Sequence, residues 1–237
     1  MPGYVIHLAT ANSVLQRLDI RDGEYKNKYL LGNIVPDLNK REEKKICHFW
    51  SDDSMRLLIR RPRLETFLGE YGNRLSEPFI FGYYSHLYLD YSFLKKYWDE
   101  YFVFYNEELE PAEGYYEIKK VYVKNKKKMY DRESFLSDEL YYGDYTRMIP
   151  YMAAKCDGLP FFDETLGIKE LRLEGRAAEY EKMIAGCREY INKKGKGTLD
   201  KEPGLMVFDR DIMDRLIEET ADELVEIYVK EIQPYFI

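Results

Sequence analysis

Residues 79–104, FIFGYYSHLYLDYSFLKKYWDEYFVF, form the most apolar and aromatic stretch of the chain. Pro78 precedes the stretch, and proline is favoured at the first position of a helix, where its missing N–H breaks no hydrogen bond. Because the stretch is apolar on nearly all sides, its pattern is typical of a helix that is buried all round. We therefore predict a central buried helix from Phe79 to about Phe104.

The sequence on either side of this stretch indicates a mainly helical protein. Apolar residues at helical spacing predict helices over 6–18, 63–71, 133–141, 145–155, 169–192 and 209–235. Between 115 and 131 the pattern differs, because six lysines lie among scattered apolar residues and Lys124-Asn125-Lys126 is able to turn. We expect one all-α domain over residues 1–237, with a small β-hairpin insertion.

Two short segments are predicted to interrupt the helices before residue 50. Pro36 biases the residue before it away from the helical conformation, so a bend is expected there, with Asp37 on it. Such an aspartate is either a helix N-cap or a ligand. The mixed charges from Lys40 to Lys45 are interpreted as a solvated turn.

Composition excludes several functional classes. The chain has 237 residues, of which 45% are hydrophobic and 33% are charged, which is typical of a folded globular protein. The formal net charge of −7 argues against a protein that coats duplex nucleic acid, so nucleic acid is disfavoured as a partner. The three cysteines, Cys47, Cys156 and Cys187, are odd in number and fit reduced thiols.

The sequence also disfavours a membrane location. No apolar run reaches the ~18 residues that a transmembrane helix needs, and residues 1–20 lack the features of a signal peptide. We therefore expect a cytoplasmic protein without stable membrane insertion. The sequence leaves its oligomeric state open.

All three histidines of the chain, His7, His48 and His86, lie in its first 86 residues. His86 and Asp90 are four residues apart on the predicted central helix, so both side chains leave one face and can share a divalent ion, or else simply hydrogen bond to each other. His7 and His48 lie in apolar surroundings, where an unpaired polar ring is costly. Together with Asp37, these residues would satisfy one another around a metal.

These residues occur in motifs whose order resembles that of the bacterial zinc-dependent phospholipase C family. The motifs are His7-Leu8-Ala9, the Gly-x-x-x-Pro-Asp segment of residues 32–37, His48, and the Gly-Tyr-x-Ser-His-Leu-x-x-Asp helix of residues 82–90. The fold of this family is similar to that of the single-strand-specific zinc nucleases. The resemblance implies a fold of the same kind.

The resemblance also implies a role for each residue. Asp37, His48, His86 and Asp90 would bind one zinc ion, and His7 with Asp90 would hold a second. Asp37 matches the aspartate that, in the family, orients or deprotonates the attacking water.

The chain departs from the family at its third zinc site. The family uses the amino group of an N-terminal Trp together with a later His, His and Glu, whereas this chain begins Met1-Pro2 and has no histidine after His86. The third site is then either absent or rebuilt from carboxylates such as Asp144. A helix cap is the alternative interpretation of Asp144.

The function expected from the sequence is metal-dependent hydrolysis of a phosphate ester, with a small-molecule phosphoester as the substrate. Histidine ligands favour zinc, in one or two copies, and the two aspartates are compatible with manganese or iron. Two alternatives stay open. One is a module in which the metal is structural and the site has no open coordination position. The other is a nuclease, in which the lysines from Lys119 to Lys128 contribute to a basic groove.

Overall fold

A computed structural model describes residues 3–39, 41–50, 60–163, 177–195, 197, 199 and 201–233. Its helices are α1 (Tyr4–Arg17), α2 (Gly23–Leu38), α3 (Arg41–Cys47), α4 (Leu64–Tyr71), α5 (Pro78–Ser92), α6 (Trp98–Tyr101), α7 (Arg132–Phe135), α8 (Tyr141–Ala154), α9 (Ala177–Lys194) and α10 (Arg210–Ile227). The strands are β1 (Phe102–Tyr105), β2 (Lys120–Val123) and β3 (Lys128–Asp131). The mainly helical fold with a small β insertion is thus confirmed.

Three helices, α1, α2 and α5, form the centre of the molecule. Every residue of α1 from Val5 to Asn12 is buried, as is every residue of α2 from Tyr29 to Pro36. Helix α5 is buried on nearly all sides and begins with Pro78 at its first turn, as the sequence predicts. Helix α2 packs along α5, while α1 lies against α2 and α10. Helices without a solvent face can only pack inside a core.

The contact between α2 and α5 is a direct approach of two backbones. A Cβ atom on Gly82 would lie 2.1 Å from the carbonyl oxygen of Tyr29, and a Cβ atom on Gly32 would lie 2.2 Å from that of Phe79. No side chain fits at these distances, so both positions require glycine. The crossing point of the two helices is therefore fixed at these two residues.

The bend predicted at Pro36 is wrong, because α2 continues through it to Leu38 and places Asp37 in the last helical turn. Proline removes one hydrogen bond of the helix. The loss is tolerated here because the helix ends two residues later, and the side-chain amide of Asn39 donates to the carbonyl of Val35 at 2.9 Å. The turn predicted over residues 40–45 is also replaced, from Arg41 onward, by the short helix α3.

The central helix is shorter than predicted. It ends at Ser92 and is followed by a wide π-helical turn, Phe93–Tyr97, and by α6. The last residues of the predicted helix form β1 instead, which pairs antiparallel to β2 with Phe102 opposite Val123. Aromatic and β-branched residues are favoured in strands, and pairing with β2 decides the outcome here.

The predicted hairpin is confirmed as β2 and β3, which are antiparallel with Val121 opposite Tyr130. With β1 they form a sheet of strand order β1-β2-β3. The side chain of Asn125, in the turn, donates to the carbonyl of Val207 at 2.9 Å and to the carboxylate of Asp209 at 2.6 Å. These bonds fasten the turn to the segment that precedes α10.

The remaining predicted helices differ in their limits. The helix predicted over 133–141 is reduced to the four residues of α7, and α8 begins at Tyr141. Helices α9 and α10 agree with the patterns over 169–192 and 209–235, although residues 169–176 and 234–235 lie outside the described part of the chain. Throughout the described ranges, no helix is both long enough and apolar enough to cross a bilayer.

Gly82→Ala should destabilise the protein by about 3 kcal/mol, since the new methyl group meets backbone rather than a movable side chain. Urea denaturation of the chelator-treated protein measures this. The matched control is Gly186→Ala in α9, where an added Cβ meets nothing within 4 Å. The control should gain about 0.5–1 kcal/mol from its better helix propensity. Equal stability of the two variants would contradict the close helix contact.

Candidate metal centre

The five residues singled out in the sequence come together from four segments of the chain. His7 lies on α1, Asp37 on the last turn of α2, His48 directly after α3, and His86 and Asp90 on α5. Four of their side chains have no exposed surface, and that of Asp37 is 13% exposed. The structure thus places all the predicted ligands in one buried cluster.

His48 and His86 face each other through their Nε2 atoms, which are 3.2 Å apart. Oδ2 of Asp90 lies 3.7 Å from both of these nitrogens. Oδ1 of Asp37 lies 3.6 Å from Nε2 of His48. Two imidazole nitrogens and two carboxylates therefore converge on one small volume.

The hydrogen bonds of the Nδ1 atoms determine which ring nitrogen of His48 and of His86 carries a hydrogen. Nδ1 of His86 lies 2.7 Å from the backbone carbonyl of Asn33, and Nδ1 of His48 lies 3.1 Å from that of Lys44. A carbonyl oxygen only accepts, so each Nδ1 carries a hydrogen and donates it. When both rings are neutral, the two Nε2 atoms have lone pairs directed at the space that they share with Asp90. A cation in that space would satisfy all three acceptors.

The distances fit a metal ion. Zinc with ligands at about 2.1 Å in a tetrahedron holds its donor atoms about 3.4 Å apart. The donor atoms of His48, His86 and Asp90 are 3.2 and 3.7 Å apart, and Oδ1 of Asp37 lies 3.6 Å from Nε2 of His48, all close to this value. Metal-binding histidines usually donate their second ring N–H to a carbonyl or carboxylate, as His48 and His86 do here.

A second set of candidate ligand atoms, around His7 and Asp90, lies beside the first. Nε2 of His7 is 3.5 Å from Oδ1 of Asp90, and the His7 ring stacks on that of His86 with centroids 3.7 Å apart. Within the described ranges, neither nitrogen of His7 and neither oxygen of Asp90 has a hydrogen-bond partner. An uncompensated buried carboxylate is strongly destabilising. His86 lies in reach of both groups, but its one free lone pair, on Nε2, can bind only one ion. His7 and Asp90 could therefore hold a second ion, with Asp90 directing one oxygen to each group.

The charge states suit metal binding. Burial, with the nearby His7, lowers the pKa of His86 to about 3, so its ring is neutral at physiological pH. Burial alone would raise the pKa values of Asp37 and Asp90. Contact with His48 lowers the pKa of Asp37, contact with His7 lowers that of Asp90, and both remain ionised. The cluster therefore contains two buried negative charges.

The backbone next to His48 is fixed by aromatic neighbours. The hydroxyl of Tyr83 on α5 donates to the carbonyl of Cys47 at 2.6 Å. The ring of Trp50 packs against the His48 ring with centroids 5.0 Å apart. Because Tyr83 and His86 share one helix, the same element positions both facing histidines.

The sequence interpretation missed two contributors. Lys44 places its Nζ atom 3.1 Å from Oδ1 of Asp37, and its side chain is 30% exposed. Its position four residues before His48, within a helix, was the available signal, but the charge run was interpreted as a turn. Asn33 contributes only a backbone carbonyl to His86, and no side-chain pattern reports such a contact.

Asp144 is not part of the cluster. It is buried in the first turn of α8, and its carboxylate accepts hydrogen bonds from the backbone N–H groups of Met206, Val207 and Phe208 at 2.7–2.9 Å, and from Arg147 at 2.8 Å. Leu140 occupies the N-cap position of α8. Asp144 is therefore neither a metal ligand nor an N-cap, but the residue that fastens the segment before α10.

Comparisons with protein-family models, with curated proteins and with solved structures find no match to this chain. The resemblance to the phospholipase C family therefore stays a prediction. The burial, distances and hydrogen bonds of the five residues are the features that favour a metal ion.

Asp144→Asn should lower the free energy of unfolding by about 2–3 kcal/mol, because an amide cannot accept all these bonds and Arg147 loses its ion pair, keeping only its bond to the carbonyl of Glu139. The bound metal per chain should remain unchanged. Urea denaturation and elemental analysis measure the two effects, with the exposed Asp211→Asn as the control. Loss of metal at unchanged stability would show that Asp144 acts as a ligand after all.

Proposed function

We propose that this protein is a metal-dependent hydrolase of phosphate esters, with zinc as its resident ion. The observation that carries the proposal is the buried pair of Nε2 lone pairs, 3.2 Å apart, beside two ionised carboxylates. Asp37, His48, His86 and Asp90 would hold one ion, and His7 with Asp90 a second. Manganese or iron is compatible with the same donors.

Such a site has the chemistry that ester hydrolysis requires. A bound divalent ion lowers the pKa of a coordinated water towards ~7 and polarises a phosphoryl oxygen. Asp37 is the ligand in contact with solvent, and its carboxylate oxygens can accept a hydrogen bond from the attacking water. We assign Asp37 the role of orienting that water while the bound ion makes the water more acidic, a contribution typically worth 10²–10⁴-fold in rate.

Two observations favour catalysis over a structural metal. Structural zinc sites are closed and usually contain cysteine, whereas the donors grouped here are histidine and aspartate. The partial exposure of Asp37 and Lys44 also gives one side of the cluster access to solvent. A small soluble phosphoester could reach the site from that side.

A nuclease gains less support. Lys124 donates to the backbone carbonyl of Asp99, and Lys126 lies 3.0 Å from the carboxylate of Asp209. These two lysines of the hairpin therefore help to hold the fold, and the net charge of −7 repels a polyanion.

The test is a panel of chromogenic phosphate esters assayed with zinc, manganese, iron or a chelator. Hydrolysis should disappear with chelator and return with metal. Asp37→Asn should lower kcat by at least ~10²-fold, while the exposed control Asp211→Asn should leave it unchanged. A protein that binds zinc tightly and hydrolyses none of the esters would contradict the proposal and favour the structural module.

A further inference from the structure

With a single bound ion, the charges of the metal cluster leave an anionic substrate without net attraction. A divalent ion carries two positive charges, and the carboxylates of Asp37 and Asp90 that would hold it carry two negative ones. The three imidazoles add no charge when they are neutral ligands. A phosphate ester needs an additional positive group beside the ion, since its own charge must be stabilised as the phosphoryl group reacts.

Lys44 is placed to supply that positive charge. Its Nζ atom lies 3.1 Å from Oδ1 of Asp37, and the same oxygen lies 3.6 Å from Nε2 of His48. The ammonium group therefore contacts an oxygen of Asp37 that also lies beside His48. It has three hydrogens, of which one is directed at Asp37, so two are left for an incoming anion.

Exposure and backbone position support the same role. The Lys44 side chain is 30% exposed and that of Asp37 is 13% exposed, whereas His7, His48, His86 and Asp90 have no exposed surface. A ligand from solvent consequently meets Lys44 at the entrance. The backbone of Lys44 is held in place because its carbonyl accepts the Nδ1–H of His48.

We propose that Lys44 binds the phosphoryl group of the substrate and makes the site selective for dianionic phosphomonoesters over monoanionic diesters. This inference rests on the proposed hydrolase function and names its substrate class. A monoester presents two negative charges and three terminal oxygens, so it can contact the ion and the ammonium together. A diester has one charge and two terminal oxygens, and its interaction with Lys44 is correspondingly weaker.

The experiment measures anion binding directly. Isothermal titration of the zinc-loaded protein at pH 8 compares inorganic phosphate, a dianion at that pH, with dimethyl phosphate, a monoanion. Lys44→Met should weaken phosphate binding at least ~10-fold and dimethyl phosphate binding by a smaller factor. Lys44→Arg should retain phosphate affinity to within ~3-fold, since the charge is kept.

The matched control is Lys28→Met on α2. Lys28 is 25% exposed and contacts Glu24 at 2.5 Å, so the substitution removes the same charge and a comparable ion pair away from the cluster. It should leave both affinities unchanged. Zinc content is measured for every variant and should be that of the wild type.

Several results would overturn the proposal. Unchanged phosphate affinity in Lys44→Met would remove Lys44 from substrate binding, and an equal loss for both anions would remove the selectivity. Loss of zinc from Lys44→Met would show that Lys44 only keeps Asp37 in position as a metal ligand. The proposal also fails if the wild type binds neither anion. Failure of the hydrolase function is distinguishable, because ester turnover would then be absent while the titrations still decide the role of Lys44.

Discussion

The fold and the metal cluster both depend on the direct contact between α2 and α5 at Gly32 and Gly82. Because neither residue has a side chain, the two backbones approach until the carbonyl of Asn33 reaches Nδ1 of His86 at 2.7 Å. That hydrogen bond fixes the tautomer of His86 and turns its Nε2 atom towards His48. A wider separation of the helices would leave the ring free to rotate. Core packing therefore determines the orientation of the ligand.

The cluster would be unstable as an ordinary part of the core. Asp90 is a fully buried carboxylate, and in the described structure neither its oxygens nor the ring nitrogens of His7, 3.5 Å away, form a hydrogen bond. Proteins rarely retain such groups, since removing an unpaired charge from water costs several kcal/mol. A cation held between these groups would compensate for their burial. The burial that makes the metal-free site unfavourable also strengthens its attraction for a divalent ion.

Much of this arrangement could be predicted from the sequence. Particular residues show which features could not be predicted. The four-residue spacing of His86 and Asp90, with three histidines all placed early in apolar segments, was enough to group four of the five clustered residues. Asp37 was added because it is the one carboxylate after Pro36 in an otherwise apolar segment. Helix periodicity identified α1, α4 and α5. Pro36 was misleading because α2 ends soon after it, and β1 was assigned to a helix because strand pairing is a long-range contact. The roles of Asn33, Lys44 and Asp144 depend on neighbours that are distant in the sequence or on backbone atoms.

The central claim is that a metal ion occupies the space between the facing Nε2 atoms of His48 and His86. Zinc titration of the chelator-treated protein, followed by X-ray absorption at the zinc edge, tests it most directly. The account predicts tight binding of at least one zinc per chain, with imidazole nitrogen and carboxylate oxygen ligands, and a higher melting temperature with zinc. A protein that binds no zinc and melts at the same temperature with and without it would contradict the account. The two histidines would then share a proton instead.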